Sequence, residues 1–284
     1  MFTVLDQISW PGSPGRANED ACGAVGDWAW VIDTSIFPGT PSLMHPQSDA
    51  AWLAGFANRR FAALAADAGD GPELVRRVMQ DCREAFLAAA PDDRQDPLTW
   101  PVAALTLVRG RNETLDVWSF ADTSAFVRRP DGTVLTLGEA PDLRQAESAK
   151  AAELLAAAGC SLKEIWDAPV FRAWLAERRR EQERGGGIPL FGLEPRTAAG
   201  LRRETVVLAP GTVVLLSSDG FSALVDLYRH VDANGLVERA LASGLEPLAA
   251  EARRIETDVD PHGRRYPRFK ASDDATALLL RWEA

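Results

Sequence analysis

The chain has 284 residues, long for one domain and short for two, so a single large layered unit is the default expectation. Hydrophobic residues make up 46% and charged residues 25%, which excludes disordered and fibrous classes. The net charge of -10, from 31 basic and 41 acidic side chains, excludes ordinary nucleic-acid and anionic-lipid binding and suits a protein that gathers divalent cations.

The predicted elements begin with a strand over 2–9, a Pro- and Gly-rich loop over 10–15, a second strand over 21–25 and a third over 28–32 that runs into Asp33. A Pro- and Ser-rich loop over 36–46 follows. Leu53, Phe56, Ala57, Phe61 and Leu64 form one helical stripe, and Val75, Val78, Met79, Cys82 and Phe86 a second. Pro72 suits the first turn of that second helix. Strands are then predicted over 102–109, 114–121, 125–128 and 133–137, at a hairpin spacing that favours one antiparallel run. Residues 142–184 read as helical, and the dense charge of Glu177-Arg178-Arg179-Arg180-Glu181 reads as a solvated helix face. Gly185-Gly186-Gly187 reads as a flexible hinge. Strands resume over 205–208 and 212–217, helices over 221–228 and 246–255, and a last strand spans 275–282. No internal repeat or low-complexity linker divides the chain, so one domain over 1–284, with an inserted helical flap at about 142–200, is expected.

Cysteine and histidine carry little chemistry here. Cys22, Cys82 and Cys160 are too scattered for a disulfide scaffold or a Cys-rich zinc site. Cys82 lies on an apolar stripe and reads as core. His45, His230 and His262 show no metal-ligand spacing, and His45 reads as a solvent-facing loop residue. No apolar run approaches the roughly 20 residues of a membrane span, and the segment 1–6 lacks the features of a secretory signal. The expectation is a cytoplasmic monomer with no nucleic-acid or membrane partner. The basic-aromatic cluster at 264–270 reads as a loop that can attract a phosphorylated substrate.

Acids interrupt apolar strands in an ordered series. Asn18-Glu19-Asp20 precedes a strand, Val31-Ile32 runs into Asp33, and 117–121 runs into Asp122. Leu215-Leu216-Ser217-Ser218 runs into Asp219-Gly220, and Asp273-Asp274 precedes 275–280. An Asp beside a core strand costs desolvation energy unless paired or bound to a cation. Taken singly, each is an ordinary turn former. Gathered at one edge of packed sheets, such acids need a counter-charge. Oxygen ligands without His or Cys suit Mg²⁺ or Mn²⁺.

In order and context this series resembles the metal-dependent type 2C Ser/Thr protein phosphatases. The resemblance covers about residues 6–281, and Leu215-Leu216-Ser217-Ser218-Asp219-Gly220 and Asp273-Asp274-Ala275-Thr276 are its most specific pieces. It implies an α+β fold, a four-layer α-β-β-α sandwich of two mainly antiparallel sheets flanked by helices. It also implies two Mn²⁺ or Mg²⁺ ions bridged by Asp33, with the Thr34 carbonyl as a further ligand and Asp219 and Asp273 completing one ion. Glu19 and Asp20 would hold metal-bound waters, Asp122 would contribute to a third, weaker metal, and Arg16 would grip the substrate phosphate. The implied activity is hydrolysis of phosphoserine and phosphothreonine in proteins by a water activated between two ions, with Arg16, Glu19 and Asp20 closest to the catalytic step. Three departures stand out. Asp33-Thr34-Ser35-Ile36-Phe37 replaces the family's Asp-Gly-x-Gly-Gly, Arg16 lies one residue nearer Glu19, and Ala121 replaces Gly before Asp122. They motivate an alternative, a pseudophosphatase that binds a phosphorylated partner without turnover.

Overall fold

The computed structural model describes residues 1–44, 46, 48–90, 96–138 and 143–283; His45, and Asp142 at the start of the expected flap, lie outside the described residues. In chain order the elements are β1 (Phe2–Trp10), β2 (Asp20–Val25), β3 (Trp28–Ser35), α1 (Asp49–Leu64), α2 (Gly71–Ala89), β4 (Val102–Arg111), β5 (Thr114–Phe120), β6 (Ser124–Arg128) and β7 (Val134–Leu137). There follow α3 (Leu143–Ala158), α4 (Pro169–Glu183), β8 (Phe191–Gly192), β9 (Arg202–Val207), β10 (Val213–Ser217), α5 (Asp219–Asp226), α6 (Ala233–Ser243), α7 (Glu246–Arg254) and β11 (Ala275–Trp282).

The strands form two antiparallel sheets, one in the order β1-β11-β10-β6-β7 and the other β2-β3-β4-β5-β9, with β8 added beside β4. Their two-residue alternation sorts side chains into separate cores. On β3, Trp28, Trp30 and Ile32 meet Leu53 and Phe61 of α1 and Val78 and Phe86 of α2. Ala29 and Val31 point the other way, into the space between the sheets, where they join Val214 and Leu216 of β10 and Leu278 and Leu280 of β11. The opposite face of β10 and β11, with Leu215 and Leu279, packs on Leu224, Val237 and Leu248 from α5, α6 and α7. Three cores in succession define the four-layer α-β-β-α sandwich. A fourth, smaller cluster of Leu154, Ile165, Phe171 and Phe269 fastens α3 and α4 to the loop before β11.

Local chemistry explains the main helix starts. Ser48 caps α1 by accepting from the Ala50 amide, and Asp70 caps α2 by accepting from Glu73, with proline in the first turn. Cys82 is fully buried on its stripe.

The sequence reading needs four corrections. β3 does not stop at Asp33 but continues to Ser35, because Thr34 and Ser35 still pair with Ala103 and Val102 of β4. The strands over 102–137 are not one run: β4 and β5 lie in one sheet and β6 and β7 in the other. The chain crosses between layers at 121–123, with Ala121 at φ 58°. Helix α6 is an addition. Asp232 accepts from the Gly235 amide at its start, and Leu236, Val237 and Ala240 are buried. Arg179 is 7% exposed, so the run 177–181 is not a uniformly solvated face. The cluster 264–270 divides: Arg264 and Arg265 are exposed, while Arg268 is buried and bonded to Asp260.

Candidate active site

The acids meet where the inter-sheet core ends. Cys22 faces that core, so Asp20, two residues earlier on β2, shares its face. Val31 on β3 places Asp33 likewise, and Asp20 and Asp33 are direct partners on the last rung of the β2–β3 ladder. From the other sheet, β10 delivers Asp219 into the first turn of α5, where an acid also complements the helix dipole. The Ser218 amide donates to the Thr276 carbonyl, and the Thr276 amide donates back to Ser218 Oγ, both at 2.9 Å. This reciprocal pair holds the start of α5 against β11. Gly220 sits at the closest approach: a Cβ there would lie 2.1 Å from the Asp274 carbonyl oxygen. The Asp-Gly dipeptide is thus a packing requirement and not a turn.

Asp33, Asp122, Asp219 and Asp273 line one cleft of about 200 Å³. Two cations from outside the predicted set enter it. Arg144, on α3, donates from Nη1 to Asp219 Oδ2 at 3.1 Å, from Nη2 to the Asp219 carbonyl at 2.7 Å and from Nε to Asp226 Oδ1 at 3.1 Å. Lys270 donates to Asp273 Oδ1 at 2.5 Å. Burial, reinforced by the neighbouring Asp274, pushes the Asp20 carboxyl well above its ordinary range. Burial likewise raises Asp33, helped by Asp20, Asp219 and Asp273. Asp273 is pushed up to about 7 by burial despite Lys270. Asp219 alone among the four ends below its ordinary value: burial raises it, but Arg144 and Lys270 outweigh burial. Burial opposes the charge on Lys270 too, yet Asp273, Asp33 and Asp219 hold it well above the usual lysine range.

The remaining predicted residues frame this centre. Glu19 accepts from Ser48 Oγ, and its carbonyl accepts from the Thr34 amide at 3.0 Å and from Thr34 Oγ1. Thr34 is buried, with Oγ1 also donating to the Ala50 carbonyl at 2.9 Å. Asp274 was singled out only as part of a motif; it is a clamp, accepting from the Gly12 and Glu19 amides at 2.6 Å each. Arg16 is exposed on a turn and borders a shallow depression shared with Glu19, Lys270 and Asp273. Asp122 stands in the crossing between sheets, close enough to Arg144 to favour its charge.

Sequence reasoning missed Arg144, Glu147 and Arg179 as cleft residues and took Lys270 only as part of the 264–270 cluster; all four line the cleft. Arg144, Glu147 and Ser148 stand at i, i+3 and i+4 on α3, a polar stripe that by itself does not distinguish a solvated face from a cleft wall. Burial raises the Glu147 carboxyl.

The donor chemistry fits a hard divalent cation. The predicted ligands offer oxygen alone, and two of their carboxylate oxygens, Asp20 Oδ2 and Asp219 Oδ1, are buried without a hydrogen-bond partner. As the side chains are turned, with Arg144 and Lys270 drawn to the acids, no three His, Cys, Asp or Glu among the described residues form a metal-holding group.

Sandwich and cleft together define the fold of the PPM-type Ser/Thr phosphatases. The chain is similar throughout to the Mycobacterium tuberculosis serine/threonine phosphatase PstP/Ppp, with 15% identity over 100% of this chain and 99% of that one and a TM-score of 0.58. It is similar to the PstP catalytic domain solved in complex with two manganese ions, at 14% identity, 100% and 98% coverage and a TM-score of 0.56. It is also similar to the PPM Ser-Thr phosphatase MsPP of Mycobacterium smegmatis, solved with cacodylate, at 18% identity, 98% and 99% coverage and a TM-score of 0.53. No family model and no curated protein sequence matches the chain. Among the described residues no helix is long and apolar enough to cross a membrane.

Proposed function

We propose that this chain is a divergent bacterial-type PPM phosphatase that hydrolyses phosphoserine and phosphothreonine in proteins with the help of Mn²⁺ or Mg²⁺. The observation that carries the reading is the convergence of Asp33, Asp122, Asp219 and Asp273 on one cleft, beside two buried carboxylate oxygens that no protein donor satisfies. Asp33, Asp219, Asp273 and the Thr34 carbonyl would hold a pair of ions, Glu19 and Asp20 their waters, and Asp122 a third ion. Such ions, when bound, supply Lewis acidity toward phosphoryl oxygen and a more acidic water.

The chain's own residues prepare the site. Asp274 ties the loop carrying Gly12 and Glu19 to the start of β11, so the acids of both sheets share one rigid frame. Arg144 orients Asp219 through its carboxylate and its carbonyl. Asp20 and Asp33, with raised proton affinity, can hold a proton at their carboxyls until a cation replaces it. The phosphorylated protein would approach from the side walled by α3 and α4. We take these helices as a flap inserted in a single 1–284 domain, acting in the cytoplasm as a monomer.

A second reading, a pseudophosphatase that recognises a phosphorylated partner, is favoured by one observation: Lys270 and Arg144 already neutralise Asp273 and Asp219. Phosphate release from phenyl phosphate and from phosphoserine peptides, measured with Mn²⁺, Mg²⁺ and chelator in parallel, separates the two. Metal-dependent release that Asp219→Asn abolishes supports the enzyme. Phosphopeptide binding without release under any metal supports the binder.

A further inference from the structure

Arg179 differs from the other cations of the cleft. Arg144 is engaged by Asp219 and Asp226, and Lys270 by Asp273. Arg178 lies over the Trp174 ring, 5.5 Å from its centroid. Arg179 is 7% exposed, and no ion pair is formed by it among the described residues. Its Nη1 is buried with no hydrogen-bond partner. Its Nη2 reaches Ser35 Oγ at 3.3 Å, a long bond. Ser35 is the last residue of β3, two beyond Asp33 and on the same face of the strand. The guanidinium that carries the orphaned donor therefore borders the cleft beside Ser35, two residues along β3 from Asp33, on the wall supplied by α4.

A buried guanidinium without an ion pair is an unusual arrangement. Burial lowers its pKa to about 10, Arg178 acts in the same direction, and Glu183 opposes them from beyond ion-pair distance. Interiors keep such a group where a ligand completes its hydrogen bonding. Its planar fork of N–H donors matches the oxygens of a phosphate monoester, and the Ser35 hydroxyl adds a donor alongside. The neighbouring cavity that Arg179 also borders, about 400 Å³, is walled by Trp100, Pro189, Leu190 and Phe191, and its two other cations, Arg184 and Arg196, are already paired with Glu177 and Glu194. The acidic cleft is where a phosphoryl group has a reason to go, provided its acids carry counter-charge.

We propose that Arg179 is a substrate-binding residue that receives a phosphate oxygen from the α4 side of the cleft, the task that family resemblance assigns to the exposed Arg16. The identity of the substrate rests on the phosphatase reading above; the anion site itself rests on the unpartnered Nη1.

The test uses the full chain and inorganic phosphate as probe, by calorimetric titration in chelator and with Mg²⁺, alongside kcat and KM for phenyl phosphate. Arg179→Met should weaken phosphate binding at least tenfold and raise KM by a similar factor, while its melting temperature stays equal to or above that of the parent, because an unpaired buried charge is removed. Arg179→Lys, which keeps the charge and loses the planar fork, should fall between the parent and Arg179→Met in phosphate binding, and Arg16→Met should cost less than about threefold. Unchanged phosphate affinity in a folded Arg179→Met protein overturns the proposal, as does a parent that binds no phosphate in either condition. A parent that binds phosphate through Arg179 but never turns over supports the anion site and rejects the phosphatase. A parent that turns over with Arg179→Met unaffected rejects the anion site alone.

Discussion

Asp20 and Asp33 face each other across the last rung of the β2–β3 ladder, both turned into the space between the sheets. Like charges directly opposed on adjacent strands are destabilising, and both carboxyls have raised proton affinity, Asp20 through burial and the nearby Asp274 and Asp33 through burial and the facing Asp20. An acid whose pKa is higher folded than unfolded binds more protons in the native state, so its contribution is favourable at low pH and is lost as pH rises toward the folded value. For Asp273 that window runs from about 4 to about 7, and Asp20 and Asp33 shift in the same direction. Asp219 shifts the opposite way, so its favourable contribution is lost only as pH falls below the ordinary carboxylate range. In chelator the melting temperature should therefore fall between pH 5 and pH 8. Mn²⁺ at pH 8 should restore it, since a ligand of the native state stabilises by mass action. A melting temperature that is flat across this range and indifferent to Mn²⁺ would contradict the assignment of these acids as a charge-strained centre.

Arg144 couples α3 to the acidic centre, since one guanidinium on that helix bonds Asp219 and Asp226 of α5. Its side chain is 13% exposed, so removing it leaves two carboxylates in poor solvent. Arg144→Met should destabilise the protein by about 3 kcal/mol in urea unfolding. Adding Asp226→Asn in the same chain should recover part of that loss, because one uncompensated charge disappears. A loss below about 1 kcal/mol would mean that solvent, not the guanidinium, satisfies these acids.

Much of this arrangement was legible before the fold was seen. The alternation on β3, β10 and β11 separates helix-facing from inter-sheet residues, and the order of the acids, through the family resemblance, points to their meeting at one edge. Helix α6 was not, because Asn234-Gly235 carries the signature of a turn and only the Asp232 cap and the burial of Leu236 and Val237 override it. The crossing at Ala121 was not, because hairpin spacing is the same whether the next strand pairs or changes sheet. Arg144, Glu147 and Arg179 were hidden for a common reason: a charged helix face has one pattern whether it meets water or an acidic cleft. Lys270 and Arg268 stand in the same basic cluster, yet one enters the acid centre and the other is consumed by Asp260.

Lys270 presents a tethered cation to Asp273, with Asp33 and Asp219 close enough to stabilise its charge. A divalent ion entering this centre must compete with that ammonium for the same carboxylate oxygens. Lys270→Met should therefore tighten Mn²⁺ binding about tenfold, the equivalent of about 1.4 kcal/mol, as read by the free Mn²⁺ signal in electron paramagnetic resonance. It should also steepen the fall of melting temperature with pH in chelator, because the acids lose their internal counter-charge. Weaker Mn²⁺ binding in a folded Lys270→Met protein would show that the lysine helps to assemble the ion site instead of competing with it.

Ala121 sits in the left-handed region at φ 58°, where its carbonyl accepts from Arg202 Nη2 at 3.1 Å and the chain passes from β5 to β6 just before Asp122. A Cβ in that conformation costs roughly 1–2 kcal/mol, while glycine adds back unfolded-state freedom worth about 0.4–1 kcal/mol. The difference favours Ala121→Gly by about 0.5–1 kcal/mol, or about 2 °C in a thermal melt for a chain of this size. Asn112, at φ 52° in the β4–β5 turn, should respond less to the same change, because asparagine tolerates this region. Arg229, at φ 49°, should behave like Ala121. A lower melting temperature for Ala121→Gly, with Arg229→Gly raised as expected, would show that the methyl group at the crossing makes contacts worth more than the strain, and that the position of Asp122 depends on them.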